Sequence, residues 1–128
     1  MAEKVILADT SILIDFFRKS DKKNAKLLSL VQQGYSFKVS SITIYEIYAG
    51  ATLIQHQFWT DFLQKIEIIP FDEKVASTAV FINNELKKKR KQIELADLFI
   101  AATAVTNTLP IATLNVKHFD RVNDLQLV

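Results

Sequence analysis

Apolar residues along this chain follow two rhythms, and their alternation predicts the fold. Lys4 to Ala8 (KVILA) is a short unbroken apolar run, the pattern of a strand buried on both faces. Behind it Ile12, Leu13, Phe16 and Phe17 recur at helical spacing, with Thr10 or Ser11 placed to cap that helix. A second helix is expected to start at Asp21, carry Ala25, Leu28 and Val31 on one face, and close near Gly34. Next come a strand at Ser36 to Val39 and a helix from Ile42 to Ala49 ended by Gly50. Phe58, Trp59, Phe62, Leu63 and Ile66 mark another amphipathic helix, followed by a strand at Glu67 to Ile69. Asp72 is placed to cap a long helix whose inner face is Val75, Ala79, Ile82 and Leu86. Ala96 to Val105 reads as an apolar helix and Pro110 to Thr113 as a strand. Asn115 to Phe119 reads as a helical turn and Leu125 to Val128 as a last strand.

Strands of this length alternating with helices predict an α/β sandwich: a small, mainly parallel sheet of 4-5 strands flanked by helices. Residues 1–128 form a single domain, with no repeat, linker or low-complexity tract. Two glycines and two prolines allow only short loops, and Gly34 and Gly50 cannot build a P-loop or a dinucleotide fingerprint. The absence of cysteine excludes disulfides, thiolate zinc sites and a thiol nucleophile, and fits a reducing cytoplasm. The opening MAEKVILADTS has too short an apolar stretch for a secretory signal, and no run nears the ~20 apolar residues of a membrane span. A cytoplasmic protein without membrane association is expected. The net charge of +2 does not point to nucleic acid by itself.

Candidate chemistry enters through three carboxylates in apolar company. Asp9 ends VILAD, Glu46 sits inside ITIYEIYA, and Asp97 sits inside LADLFIAATAV. An ionised carboxylate among apolar neighbours costs several kcal/mol unless a cation or hydrogen bonds compensate. Clustered acids raise one another's pKa until a divalent ion is supplied, and an all-oxygen set suits Mg²⁺ or Mn²⁺. In a parallel sheet, ligands bind beyond the carboxyl ends of the strands, which makes Asp9 the first suspect. Each acid also has a structural reading. Glu46 with Thr43 fits a capping box, Asp97 can cap a helix from Leu98, and Asp9 can shape the turn before Ser11.

Four segments in this order resemble the PIN-domain family and, within it, the VapC-type toxins. They are DTSILID (Asp9 to Asp15), SSITIYEIYAG (Ser40 to Gly50), ELADLFIAATAV (Glu94 to Val105) and IATLNVKHF (Ile111 to Phe119). Together they span nearly the whole chain. The resemblance implies a PIN-like three-layer sandwich and a pocket binding Mg²⁺ or Mn²⁺. It also implies endoribonuclease activity, neutralisation by a cognate antitoxin protein, and homodimerisation. Carried over by position, Asp9, Glu46 and Asp97 are the metal-site acids, with Thr10 or Ser11 offering a hydroxyl beside the first. The family often has a fourth acid within the segment that here reads TLNVKHF. Asn115 stands there instead, able to hold a metal-bound water or a phosphate, with His118 on the same helical face. Glu94, one turn before Asp97, can supply the missing charge. Alternatively, a PIN scaffold that binds RNA or a protein without cutting would explain the substitution.

RNA reaching an acidic pocket needs basic residues at its rim. The run Lys87, Lys88, Lys89, Arg90 and Lys91 is one source, and Arg18, Lys19, Lys22 and Lys23 are another. A basic run at a helix end also simply complements the helix dipole. His56 and His118 have no partners at zinc spacing, and His56 reads as a surface residue. Phe16, Phe17, Tyr45 and Tyr48 read mostly as core, some lining a groove for a partner. An aspartyl-phosphate enzyme would need a second acid two residues after Asp9, where Ser11 stands. A DNA flap nuclease would need helical insertions for which this chain has little room.

Overall fold

A computed structural model describes residues 4–128. Four parallel strands make the sheet: β1 (Lys4–Ala8), β2 (Tyr35–Ser40), β3 (Ile68–Ile69) and β4 (Ile111–Ala112), in the order β3-β2-β1-β4. Between them run α1 (Thr10–Arg18), α2 (Lys26–Gln32), α3 (Ser41–Gly50), α4 (Leu53–Leu63), α5 (Glu73–Lys88) and α6 (Leu95–Thr106). A short α7 (Val116–Phe119) follows β4.

The unbroken apolar run of β1 is explained by its central place. Ile6 and Ala8 point to one face of the sheet, against Ile12, Leu13, Leu27, Leu30, Val39, Ile47 and Trp59. Leu7 points to the other, against Val75, Ile82, Leu86, Ile100, Ala101, Ile111 and Phe119. Helices α1 to α4 thus cover one face and α5 and α6 the other, which makes three layers.

Several element ends differ from expectation. Asp9, not Thr10 or Ser11, caps α1, its carboxylate accepting from the Ser11 N–H. Asp21 caps only a single 3-10 turn over Lys22–Asn24; Ala25, the buried N-cap residue, then leads into α2, which buries Leu27 and Leu30 and leaves Val31 exposed. Ala25 is buried as expected, but the inner face of α2 itself is Leu27 and Leu30 in place of Leu28 and Val31, because the chain between Asp21 and Ala25 is not α-helical. Ile66 lies beyond the end of α4. Leu125 to Val128 does not form a strand. Only Leu127 bridges Ile111, through bonds from Ile111 N–H to Gln126 O and from Val128 N–H to Ile111 O. With β4 itself limited to Ile111–Ala112, there is little edge to extend.

Scarcity of glycine leaves two helix ends strained. After α5, Arg90 N–H bonds Lys87 O and Lys91 N–H bonds Leu86 O, a Schellman closure that needs a left-handed residue at Arg90 (φ 55°). After α6, Thr108 (φ 54°) closes in the same way, with Leu109 N–H bonding Ala104 O. A β-branched residue is ill suited to that conformation.

Two stability measurements check these assignments. Thr108→Gly is expected to stabilise the fold by roughly 0.5–1 kcal/mol in urea unfolding, since relief of strain exceeds the added chain entropy. Leu7→Ala, at a position with no exposure, is expected to cost about 2–5 kcal/mol in the same assay.

Candidate active site

The carboxyl ends of β1 and β4 and the amino-terminal turn of α6 deliver the acids to one place. Asp9 follows β1 directly and is only 3% exposed. Glu46 comes from the middle of α3, and Asp97 from the first turn of α6, where Glu94 is the N-cap residue. Asn115 and His118 belong to the start and body of α7, just after β4.

Each acid is gripped by donors from another part of the chain. Asp9 Oδ2 accepts from Ser11 Oγ at 2.7 Å and Thr113 Oγ1 at 2.8 Å. Ser11 Oγ in turn accepts from Leu114 N–H at 3.0 Å, and Thr113 Oγ1 from Asn115 N–H at 2.9 Å. The β4–α7 connection is thereby locked to the β1–α1 turn. Glu46 Oε1 accepts from Thr10 Oγ1 at 2.7 Å, and Thr10 also lies 2.9 Å from Thr43 Oγ1. Because Thr10 has one hydroxyl proton, a bond to Glu46 leaves Thr43 as donor to Thr10, which aims the chain of hydroxyls at the carboxylate. Asp97 Oδ2 lies 3.0 Å from Asn115 Nδ2 and 2.9 Å from His118 Nδ1, and those two nitrogens are 2.8 Å apart.

These contacts decide between the readings of each acid. Glu46 does not close a capping box, since the α3 cap is Ser40, whose hydroxyl accepts from Thr43 N–H. Asp97 is not an N-cap either, because α6 begins two residues earlier. Asp9 does cap α1, yet its stronger bonds run to two hydroxyls, one of them from β4's far side of the sequence. Thr43 and Thr113 are the residues sequence reasoning missed as partners of the site. Both are almost fully buried hydroxyls among apolar neighbours, the same signal that singled out the acids.

Burial pushes the Asp9 carboxyl above its usual pKa. The Ser11 and Thr113 hydroxyls pull it back, and the charge of Asp97 raises it further. Glu46 is also raised, first by burial, then by the charges of Asp9, Asp97 and Glu94, with the Thr10 hydroxyl opposing. The charge of Asp97 therefore reaches both raised carboxyls. As the side chains stand, no three or more of the described acids and histidines are drawn close enough to enclose an ion. Each is turned toward its own protein donors.

The basic residues divide. Arg18 lines a cleft of about 350 Å³ together with Thr10, Ile14, Phe17, Glu46 and Trp59. Lys22 is occupied elsewhere, donating to Phe16 O and Phe17 O at the end of α1. Lys88 pairs with Glu85 at 3.3 Å on the surface. A 2.8 Å bond from Thr106 on α6 to Thr78 on α5 fixes the two helices as an antiparallel hairpin. The run Lys87 to Lys91 therefore turns over at the end of the hairpin where Glu94 and Asp97 stand. His56, expected at the surface, is half-buried and packs edge-on against Tyr48.

Comparison with known proteins agrees with this architecture. The PIN domain model matches residues 6–125. Ribonuclease VapC1 of Methanocaldococcus jannaschii is 36% identical over 98% of this chain and 86% of its own length. A toxin-antitoxin complex from Klebsiella pneumoniae superposes with TM-score 0.75 at 31% identity, covering 94% of each chain. VapBC2 from Rickettsia felis, bound to a DNA fragment from its promoter, superposes with TM-score 0.80 at 27% identity over 97% of each chain. The chain belongs to the PIN-domain family. Its place there is among the VapC ribonucleases.

The raised carboxyl pKa values have a consequence for stability. The folded state binds these protons more tightly than the unfolded chain. The stability they contribute is complete below the ordinary carboxyl range and lost as pH rises through the raised values. Asp9→Asn removes the buried charge while its amide oxygen still accepts from Ser11 and Thr113. In metal-free buffer at pH 7 the variant is expected to melt above the wild type, by roughly 4 °C for each kcal/mol relieved. The gap should close as pH falls toward about 4. A gap that stays constant from pH 4 to 8 in thermal melts would contradict the assignment.

Proposed function

We propose that this chain is a Mg²⁺- or Mn²⁺-dependent endoribonuclease in which Asp9, Glu46 and Asp97 hold the ion. It serves as the toxin of a type II toxin–antitoxin pair and is restrained by a small antitoxin protein.

One observation carries the metal reading. Asp9 Oδ1, Asp97 Oδ1 and Glu46 Oε2 have no hydrogen-bond partner among the described residues. No side-chain polar atom there is both fully buried and unpartnered, so each of these oxygens keeps some access to solvent, the least at Asp9. Three acids from three separate elements thus each keep one oxygen free, and burial together with neighbouring negative charge raises two of them, Asp9 and Glu46. An all-oxygen donor set of this kind fits a hard divalent ion that retains several waters.

The geometry supports the following roles. Asp9, fixed by two hydroxyls and by its cap on α1, is the rigid ligand. Asp97 is the second, and Glu46, oriented by Thr10, either joins the ion or orients the attacking water. A bound ion would supply a lowered pKa for water and neutralisation of charge on the phosphate. Asn115 and His118, at the start of α7, hold Asp97 Oδ2 and would be at hand for a bound phosphate, and Arg18 offers a cation in the adjoining cleft. This chemistry does not need a ribose 2′-hydroxyl. The choice of RNA and the antitoxin partner rest on the ribonuclease and toxin-antitoxin relatives.

The test is incubation of purified, antitoxin-free protein with total RNA and Mg²⁺ or Mn²⁺, beside EDTA and Asp97→Asn. Discrete fragments that disappear with EDTA, and that form at least about 100-fold more slowly with the variant, are expected. Intact RNA with bound RNA–protein complex under every metal would instead favour a PIN scaffold that does not cut.

A further inference from the structure

We propose that the cleft between the end of α5 and the segment after α7 is a nucleotide subsite. It seats one unpaired RNA base that carries an exocyclic amino group, with the adjoining phosphate against Lys89 and Arg121. A subsite there rests on the ribonuclease reading above but lies outside the acidic pocket and involves no ion.

The cleft encloses about 210 Å³, the scale of a single ring system rather than of a larger ligand. Its floor is apolar, with Leu86 and Val122 buried beneath it. Phe81 stands in its wall and is 58% exposed, a large aromatic surface left to solvent. Such a ring is a stacking platform for any nucleobase, because every base has a π-face. The polar lining decides which bases. Glu85 spends one oxygen on Lys88 at 3.3 Å and keeps the other. Asp124 adds a second acceptor, and the Asn123 amide adds both an acceptor and donors. Carboxylates accept from the exocyclic amines of adenine, cytosine and guanine, and uracil has none.

Cations stand where the phosphates would run. Arg121 lies one turn after His118, its N–H on His118 O at 3.3 Å, so the cleft opens within a helical turn of the site. One guanidinium nitrogen donates to Gln92 O at 3.0 Å, which fixes Arg121 against the basic turn and leaves its other N–H groups for a phosphate. Of the basic run, Lys88 alone makes an ion pair among the described residues, and Lys87, Lys89, Arg90 and Lys91 are exposed. The second basic group is partly committed elsewhere. Lys19 pairs with Asp15 at 3.6 Å, and Lys22 donates to two carbonyls at the end of α1. An RNA strand that leaves the site across α7 meets Arg121 and Lys89 on its way to Phe81.

Fluorescence anisotropy of labelled single-stranded oligoadenylate and oligouridylate in EDTA, on antitoxin-free protein, tests the subsite without ion or cleavage. Phe81→Ala is expected to weaken oligoadenylate binding about 10-fold, and Phe81→Tyr, which keeps the ring, to retain it. Lys89→Ala is expected to lower the slope of log affinity against log salt by about 0.7, and Lys23→Ala to leave it unchanged. The wild type is expected to hold oligoadenylate several-fold more tightly than oligouridylate, and Asp124→Ala to reduce that preference. Full affinity in Phe81→Ala, or a slope lowered by Lys23→Ala and not by Lys89→Ala, would overturn the subsite and leave the ribonuclease reading intact. A halved mass for Phe81→Ala in light scattering would give this face to a second copy of the chain and overturn the subsite equally. Cleavage of total RNA without binding of either oligonucleotide would overturn the subsite alone. Neither cleavage nor binding would overturn the subsite and the reading beneath it together.

Discussion

Like charges gathered in a place of low water access are the constraint around which this molecule is arranged. Asp9 is nearly inaccessible, and the charges of Asp97 and Glu94 reach Glu46. Left alone, such a group would protonate or pull apart. What holds it is a set of neutral hydroxyls and one amide–imidazole pair, each matched to one oxygen. Ser11 and Thr113 hold Asp9, Thr10 holds Glu46, and Asn115 with His118 hold Asp97. Hydroxyls suit the task because they donate to the carboxylate without adding a counter-charge, which would compete with a cation for the same oxygens.

The fold supplies these donors from distant parts of the chain. Ser11 and Thr113 are 102 residues apart yet both meet Asp9. They do so because β1 and β4 are neighbours in a parallel sheet and their carboxyl ends open side by side. Helix α3 brings Glu46 from behind β2, and the α5–α6 hairpin brings Asp97 from the opposite layer. Two apolar clusters, one on each side of β1, give the rigidity that keeps these elements in register.

Strain is concentrated away from the acids, at the ends of the two hairpin helices. Arg90 and Thr108 both take left-handed backbone without being glycine. The first lies in the basic turn leading back to Glu94, and the second in the turn leading into β4. Each closure sets the direction in which a site-bearing segment leaves its helix. Tolerance of Thr at φ 54° fits a turn whose tertiary contacts decide its shape more than its own preference does.

Much of this was legible from residue order alone. An unbroken apolar run at Lys4 to Ala8 requires burial on both faces, and that requires a central strand in a parallel sheet. Acids at Asp9, Glu46 and Asp97 stand out because a charge inside an apolar segment needs a reason. Capping signals were less decisive, since Asp, Ser and Thr in sequence all have cap chemistry and only the backbone geometry selects Asp9 for α1. Periodicity also misjudged α2, where a 3-10 turn shifted the buried face to Leu27 and Leu30. The Leu125 to Val128 segment has strand composition but lacks an edge long enough to pair with. Which hydroxyl meets which carboxylate, and that Asn115 and His118 close on Asp97 together, was decided only by tertiary structure. Apart from Ser11 beside Asp9, the partners lie 18 to 104 residues from their acids, and a local pattern carries no information about such contacts until the sheet and its helices bring them within reach.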